Sequence, residues 1–310
     1  QTPFCPRPRI HLLGFSSTNM RIAVIGLALL SGCSAFAATP SRLPGLGGGA
    51  KISLSHGSPL GLRASSSAKA LTGLRGGVGE GKPKITYFDA RGVAETARIM
   101  LLTAGVEYDD DRYKVAMVDG VPSVPQFKED KETGKLVANM GRLPIMDVGT
   151  AKFGQSHAIN RYIATHHGFM GKTAEDAAII DCLYECLRDM KDAFAKIRGP
   201  GAAGTAEEKK AKTEEYWNDT EKGLPDWLKR FEETLASYTP EASSYAFGSS
   251  LSLIDFAIYT WIESLTTNKD LMALGTKPWE SCPRINASYK SVLETPAVAK
   301  WIKERPETMF

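Results

Sequence analysis

The sequence predicts an α/β domain followed by an all-α helical domain, with a disordered leader in front of both. The leader is indicated by its charge, because residues 1–79 contain eight Lys and Arg but no Asp or Glu. The α/β domain is indicated by short strand-like runs that alternate with helical patterns between residues 84 and 167. From Thr173 onward the patterns are long and helical. We therefore expect the leader over 1–81, the α/β domain over 82–168 and the helical domain over 173–310.

The leader has the features of a targeting segment. Met20 and Arg21 precede an apolar run at 22–30 and small residues at 31–38, which is the pattern of a signal peptide. The run is too short to cross a bilayer, so no stable membrane insertion is expected. The following stretch to residue 79 is basic, rich in Ser and Gly and free of acids, as in transit peptides, and it has too little apolar surface to fold.

The sequence SAFA at 34–37 resembles the junction between signal and transit peptides in algae with complex plastids. This resemblance implies a plastid location, and a secreted or cytoplasmic protein is the alternative. Beyond the leader the balance of charge reverses, because all 35 acidic residues of the chain follow residue 79. An acidic body without a basic stripe argues against a nucleic-acid partner.

The elements predicted for the α/β domain follow one another in a definite order. They are a strand at 84–88, a turn at 89–92, a helix at 93–105, a strand at 106–113, an irregular segment at 114–140, strands at 143–148 and 151–153, and a helix at 155–167. Apolar residues spaced along one face indicate the first helix, and Gly105 ends it. This order is that of a thioredoxin-like domain.

In the second half we expect helices at 173–197 and 216–235, separated by a charged, Gly- and Ala-rich loop at 199–212. Ser252 and Asp255 form a Ser-x-x-Asp capping box before another apolar helix, and we expect them to serve folding. No cysteine spacing is typical of a zinc site, so no metal is expected. Cys182 and Cys186 lie four apart on one helix, where a disulfide is disfavoured, so we expect the cysteines to be reduced core residues.

Three blocks of sequence resemble successive blocks of the sigma-class glutathione transferases. They are KITYFDARGVAETARIMLLTAG, GRLPIMDV and FGQSHAINRYIATHHG, and the similarity extends over 84–310. The resemblance implies a homodimer in which a thioredoxin-like domain binds glutathione as co-substrate. It also implies a reaction in which the glutathione thiolate attacks a small hydrophobic electrophile. The electrophile is expected between the domains, near Tyr113 or the helix face at 181–188.

Tyr87 matches the catalytic tyrosine of this family, whose hydroxyl hydrogen-bonds the sulfur of glutathione. The thiolate is the nucleophile, so the enzyme has to lower the pKa of the thiol. A decrease from about 8.5 to about 6.5 requires ~2.7 kcal/mol. One hydrogen bond to a charged group supplies about 1.5–3 kcal/mol, and a helix N-terminus adds about 0.3–1 kcal/mol. These contributions suffice without a metal or a general base.

The resemblance assigns the remaining glutathione contacts. Pro144 matches the cis-proline that directs the Leu143 backbone toward the cysteinyl part of glutathione. Gln155 and Ser156 match the pair that holds the γ-glutamyl carboxylate, and Ser156 is a suitable N-cap for the helix behind it.

The resemblance also bears on positions in the second domain and on positions where this sequence departs from the family pattern. Asp181 matches an aspartate that reaches across the dimer to the γ-glutamyl amino group, and Lys135 is aligned with the lysine that binds the glycyl carboxylate. Val93 occupies the position at which many relatives have an arginine that assists the thiolate. Arg91 lies two residues earlier, and we expect it to have a structural role.

Two other functions are compatible with the sequence. The first is a glutathione-dependent isomerase or peroxidase, similar to the sigma-class prostaglandin D synthases. The second is a non-catalytic, crystallin-like protein on the same fold. A redox role similar to that of glutaredoxins is disfavoured, because no cysteine follows the first strand.

Overall fold

The computed structural model describes residues 82–118, 121–199 and 201–308, which belong to one compact unit. The leader over 1–81, with the predicted signal peptide and the plastid junction, lies outside the described residues, as do Cys5 and Cys33. The described cysteines Cys182, Cys186 and Cys282 are free thiols.

A mixed four-stranded sheet forms the centre of the α/β part. The strands are β1 (Lys84–Phe88), β2 (Asp109–Tyr113), β3 (Ala116–Val118), β4 (Val121–Ser123), β5 (Ile145–Asp147) and β6 (Lys152–Gly154). The sheet order is β2-β1-β5-β6; β1 pairs with β2 in parallel and with β5 antiparallel, and β5 pairs with β6 antiparallel. This arrangement confirms the thioredoxin-like fold predicted from the element order.

Three helices accompany the sheet: α1 (Glu95–Thr103), α2 (Pro125–Glu132) and α3 (Ser156–His166). Buried residues on α1 and α3, among them Ile99 and Ile163, pack with Ile85 of β1 in the core. A 3-10 turn at Gly92–Ala94 leads from β1 into α1.

The prediction that 114–140 is irregular is wrong. This segment holds the β3–β4 hairpin, α2 and a 3-10 turn at Val137–Asn139. Helix α2 is almost entirely polar and buries only Asp130, so it carries no apolar stripe from which a helix could be recognised. Its start is marked only by Pro125 in the first turn.

The second half is helical, as predicted. Its helices are α4 (Ala174–Arg198), α5 (Ala206–Asn218), α6 (Leu224–Ala236), α7 (Leu253–Thr266), α8 (Lys269–Met272), α9 (Pro283–Leu293) and α10 (Pro296–Glu304). Most of the residues of α7 are buried, and this helix forms the middle of the domain.

Two boundaries in this half differ from the prediction. The region 199–212 is not a continuous loop, because α5 begins at Ala206. The Thr205 Oγ1 accepts the Glu208 N–H at 3.2 Å, and the Glu208 carboxylate accepts the Thr205 N–H at 2.8 Å, so this capping box starts a charged helix. The single helix predicted at 216–235 is divided, since α5 ends at Asn218 and α6 begins at Leu224.

Asp255 is completely buried at the start of α7 and accepts four hydrogen bonds. One carboxylate oxygen accepts the Ser252 N–H at 2.9 Å and the Ser252 hydroxyl at 2.7 Å. The other accepts the Ala246 N–H and the Ser288 hydroxyl, each at 2.7 Å. Asp255 therefore connects the segment before α7 to helix α9, in addition to capping its own helix.

Polar contacts join the helical part to the α/β part. The Thr96 and Thr260 hydroxyls lie 2.8 Å apart between α1 and α7. The indole of Trp301 on α10 donates to the Glu95 carboxylate at 2.7 Å. These contacts fix the position of α1 relative to α7 and α10. Among the described helices, none combines the length and apolar character needed to cross a membrane.

Candidate active site

Tyr87 lies near the end of β1, and its hydroxyl is held against the turn that follows the strand. A Cβ atom on Gly92 would lie 2.6 Å from the Tyr87 Oη, and Gly92 has a positive φ of 44°. Glycine is therefore the residue that allows the backbone to approach the hydroxyl this closely. Burial raises the pKa of Tyr87, and the Val93 N–H and the Arg98 guanidinium offset only part of this effect. At neutral pH the phenol keeps its proton and is able to donate a hydrogen bond.

Arg98 on α1 fixes the turn that carries these groups. Its side chain is fully buried, and its Nη1 donates to the Ala90 carbonyl at 2.8 Å and to the Arg91 carbonyl at 3.2 Å. Its guanidinium carbon lies 5.9 Å from the centre of the Tyr87 ring. Sequence reasoning missed Arg98, because an arginine on an amphipathic helix usually belongs to the solvated face. Arg91, expected to be structural, lies 3.6 Å from the Glu263 carboxylate.

The Leu143–Pro144 peptide bond is cis, as predicted. Asn139 connects the segment around this bond, the Pro144 loop, to the start of α3. Its Nδ2 donates to the Pro144 carbonyl at 3.0 Å, and its Oδ1 accepts from Gln155 Nε2 at 3.1 Å. The absence of a side chain on Gly154 makes room for Asn139, because a Cβ there would lie 2.2 Å from the Asn139 side chain. Asn139 was also missed, since nothing in its local sequence distinguishes it from a loop residue.

The N-terminus of α3 is open. Ser156 was expected to be the N-cap, but it is the first residue of the helix and Gln155 occupies the N-cap position. No side chain caps this end, and the first backbone hydrogen bond runs from the Ile159 N–H to the Gln155 carbonyl. The amides that precede Ile159 in the helix have no carbonyl partner within it, and such groups attract anions.

Lys135 and Asp181 both form ion pairs within their own chain. The Lys135 ammonium lies 2.6 Å from Asp130, which also accepts the Tyr113 hydroxyl at 2.7 Å. The neighbouring Lys131 lies along Gly141, with its Cε 3.1 Å from where a Cβ would stand. Asp181, on α4, accepts from Arg161 Nε at 2.6 Å.

A cavity of about 410 Å³ lies where the turn after β1, the start of α3, α4 and α7 meet. The turn contributes Gly92 and Val93, and Ser156 lies at the start of α3. The other lining residues are Arg91, Glu95, Thr96, His157, Asn160, Tyr184, Lys191, Ala257, Thr260, Trp261, Glu263, Ser264, Thr267 and Asn268. Of the two expected electrophile positions, the face at 181–188 contributes Tyr184, whereas Tyr113 is not part of the lining.

The structure thus gathers some of the predicted residues and leaves others apart. The hydroxyl of Tyr87 adjoins the turn that lines the cavity, Ser156 lines the cavity itself, and Asn139 ties the Pro144 loop to Gln155. Ser252 and Asp255 lie in the helical core. Within the described residues, no group of three or more His, Cys, Asp or Glu is arranged to hold a metal ion.

Two domain families match the chain. "Glutathione S-transferase, N-terminal domain" matches residues 83–165, and "Glutathione S-transferase, C-terminal domain" matches residues 189–305. Glutathione S-transferase 3 of Caenorhabditis elegans is 31% identical over 230 residues, which cover 73% of this chain and 98% of the relative. Hematopoietic prostaglandin D synthase of Gallus gallus is 29% identical over 228 residues, covering 73% and 97%.

Solved structures are also similar. The crystal structure of a monomeric glutathione S-transferase from the hookworm Necator americanus has a TM-score of 0.56 at 26% identity and covers 74% of this chain and 100% of that chain. The structure of the enzyme from Ascaris lumbricoides has a TM-score of 0.55 at 27% identity, with coverage of 74% and 100%.

Proposed function

Because the chain belongs to the glutathione S-transferase family, we propose that it is a sigma-type enzyme in which Tyr87 activates glutathione for attack on hydrophobic electrophiles. The observation that carries this proposal is the position of the Tyr87 hydroxyl, at the turn that lines the cavity between α4 and α7. The thiol of bound glutathione releases its proton to water, and the phenol donates a hydrogen bond that stabilises the thiolate. The thiolate then forms a C–S bond with the electrophile, whose leaving group departs with the bonding electrons.

Several groups are suited to hold the rest of glutathione. The open N-terminus of α3 and the side chains of Gln155 and Ser156 offer donors to the γ-glutamyl carboxylate. The backbone of Leu143, beside the cis bond, is free of backbone partners among the described residues and is suited to pair with the cysteinyl part. Asn139 acts indirectly, because it positions Gln155 and the Pro144 carbonyl.

The direct test is retention on immobilised glutathione together with turnover of 1-chloro-2,4-dinitrobenzene. We expect both from the mature protein without its leader. Retention without turnover would contradict Tyr87-assisted conjugation, and loss of both would contradict glutathione binding at this site.

Lys135 is proposed to bind the glycyl carboxylate. An ammonium has three donors, so the bond to Asp130 leaves two available. We expect Lys135→Met to raise the Kd of glutathione about fivefold, since an exposed ionic contact contributes up to about 1 kcal/mol. Calorimetric titration with glutathione and with its glycyl amide measures this effect, which should be absent for the amide.

Lys131→Met is the matched control for this prediction, because it removes a positive charge from the same segment. Its Kd should stay within twofold of the wild-type value. If Lys131→Met weakened binding and Lys135→Met did not, the roles of the two lysines would be exchanged.

The dimer and the plastid location also belong to this proposal. Val137 and Met140 are apolar yet 77% and 80% exposed beside the Pro144 loop, which favours a partner subunit there. The hookworm relative is described as monomeric, so the molecular mass in solution, measured by light scattering, decides between monomer and dimer for the present chain.

The plastid location is tested by following a fluorescent protein fused to residues 1–81.

A glutathione-dependent isomerisation is the second candidate reaction, since one relative is named a prostaglandin D synthase. The same thiolate would serve both reactions. Conjugation and isomerisation are distinguished by whether glutathione is consumed.

A further inference from the structure

A lysine ammonium group lies in the lining of the cavity next to Tyr87. Lys191 on α4 is half-buried in the lining, and within the described residues it forms no ion pair. Burial lowers the pKa of Lys191, and Asp192, its neighbour on the helix, offsets this only in part. A partly desolvated charge that lacks an ion-pair partner is unfavourable, so an anion bound at this position would stabilise it.

The carboxylates that line the same cavity are already occupied. Glu95 lies 3.3 Å from both Arg98 and Arg305. Glu263 is paired with Arg305 and lies 3.6 Å from Arg91. Both acids are therefore paired with arginines, and neither forms an ion pair with Lys191.

Two further polar atoms in the lining, the Nδ1 of His157 and the Oδ1 of Asn160, are buried and form no hydrogen bond among the described residues. The Glu185 carboxylate lies 3.7 Å from the His157 Nδ1. The charge of Lys191 is close enough to His157 to lower the pKa of the imidazole, although burial has the larger effect. Lys191 and His157 both line the cavity and are close enough to interact electrostatically.

The lining of the cavity also contains apolar side chains. Val93 is 48% exposed at the turn beside the Tyr87 hydroxyl, and α7 contributes Ala257 and Trp261. A molecule that fills this space has an apolar body and an anionic end. Its apolar body would lie toward Val93 and its anion toward Lys191.

We propose that Lys191 selects hydrophobic electrophiles that carry a carboxylate, which it binds while the reactive carbon faces the glutathione sulfur. This inference rests on the proposed transferase function and specifies its class of second substrate. Lys191 acts on binding and orientation, and Tyr87 remains the residue that acts on the thiolate.

The test compares two probes of similar shape, of which one is anionic and one is neutral: 4-chloro-3,5-dinitrobenzoate and 4-chloro-3,5-dinitrobenzamide. Each kcat/KM is divided by the rate constant of the uncatalysed reaction with glutathione, because the carboxamide activates the ring more than the carboxylate does. In both, the thiolate forms a C–S bond at the carbon that carries chlorine, and chloride leaves with the bonding electrons. We expect wild-type enzyme to prefer the benzoate in kcat/KM. The ratio of benzoate to benzamide should fall at least tenfold in Lys191→Met, mainly through KM. Lys196→Met removes a charge from an exposed position of the same helix and should keep the wild-type ratio.

A second measurement does not depend on the folding of a variant. Unreactive 3,5-dinitrobenzoate should inhibit the glutathione-loaded wild-type enzyme more strongly than 3,5-dinitrobenzamide. Equal inhibition by the two compounds, or an equal decrease for both electrophiles in Lys191→Met, would overturn the role of Lys191. If the wild type turned over neither probe, the transferase proposal itself would fail, which is a different result from turnover without discrimination.

Discussion

Replacing Tyr87 by Phe is expected to raise the pKa of the thiol of bound glutathione by about one to two units. The hydroxyl is the group that donates to the sulfur, and a hydrogen bond to a charged group contributes about 1.5–3 kcal/mol. Each pKa unit corresponds to about 1.4 kcal/mol. The acid dissociation constant of the thiol should therefore fall about 10- to 100-fold.

The direction of the pH dependence follows from this shift. With a thiol pKa near 6.5, about three quarters of the bound glutathione is thiolate at pH 7, whereas a pKa near 8 leaves about one tenth. The rate at neutral pH changes less than the ionisation, because a thiolate of higher pKa is a better nucleophile. The ultraviolet absorbance of the thiolate, titrated against pH, measures the shift directly.

Tyr113→Phe provides the matched control for this prediction. Tyr113 is also at the end of a strand, but its hydroxyl donates to Asp130 and it does not line the cavity. Its removal should leave the thiol titration unchanged. An unchanged titration in Tyr87→Phe would remove Tyr87 from its catalytic role.

Asp255→Ala should have the largest effect on stability, a loss of about 3–5 kcal/mol in the free energy of unfolding. The substitution leaves four buried donors without an acceptor, two of them on Ser252 and the others on Ala246 and Ser288. Each unsatisfied group costs about 1–3 kcal/mol, although removal of the buried carboxylate recovers its desolvation energy. Urea denaturation followed by circular dichroism measures the change.

Ser288→Ala separates one bond from the whole network. It removes a single hydroxyl and should cost about 1 kcal/mol. If both variants lost the same free energy, Asp255 would act through that one contact and would not connect the segment before α7 to α9.

Local sequence signals predicted the parts of the fold that have regular periodicity. The strand that carries Tyr87, helices α1, α3 and α4, and the proline before β5 were all identified from their immediate neighbours in sequence. Helices α2 and α5 were missed or misplaced because they are polar, and their stability depends on capping and on contacts with other elements.

The predicted binding residues were found by resemblance, while the groups that position them were not found at all. Asn139 reaches Gln155 across 16 residues of chain, and Trp301 reaches Glu95 across 206. Contacts between residues so far apart in sequence cannot be predicted from the pattern of neighbouring residues.

By itself the sequence determined the first strand with its turn and the helices that carry an apolar face, since hydrophobic periodicity and turn residues act over a few neighbours. Only the tertiary structure decided which charges are paired. It neutralises Glu95 and Glu263 with arginines from distant segments, and among the described residues it provides no carboxylate within ion-pair distance of Lys191. The physical reason is that an ion pair depends on distances of a few ångströms in space, and the fold alone brings such residues together.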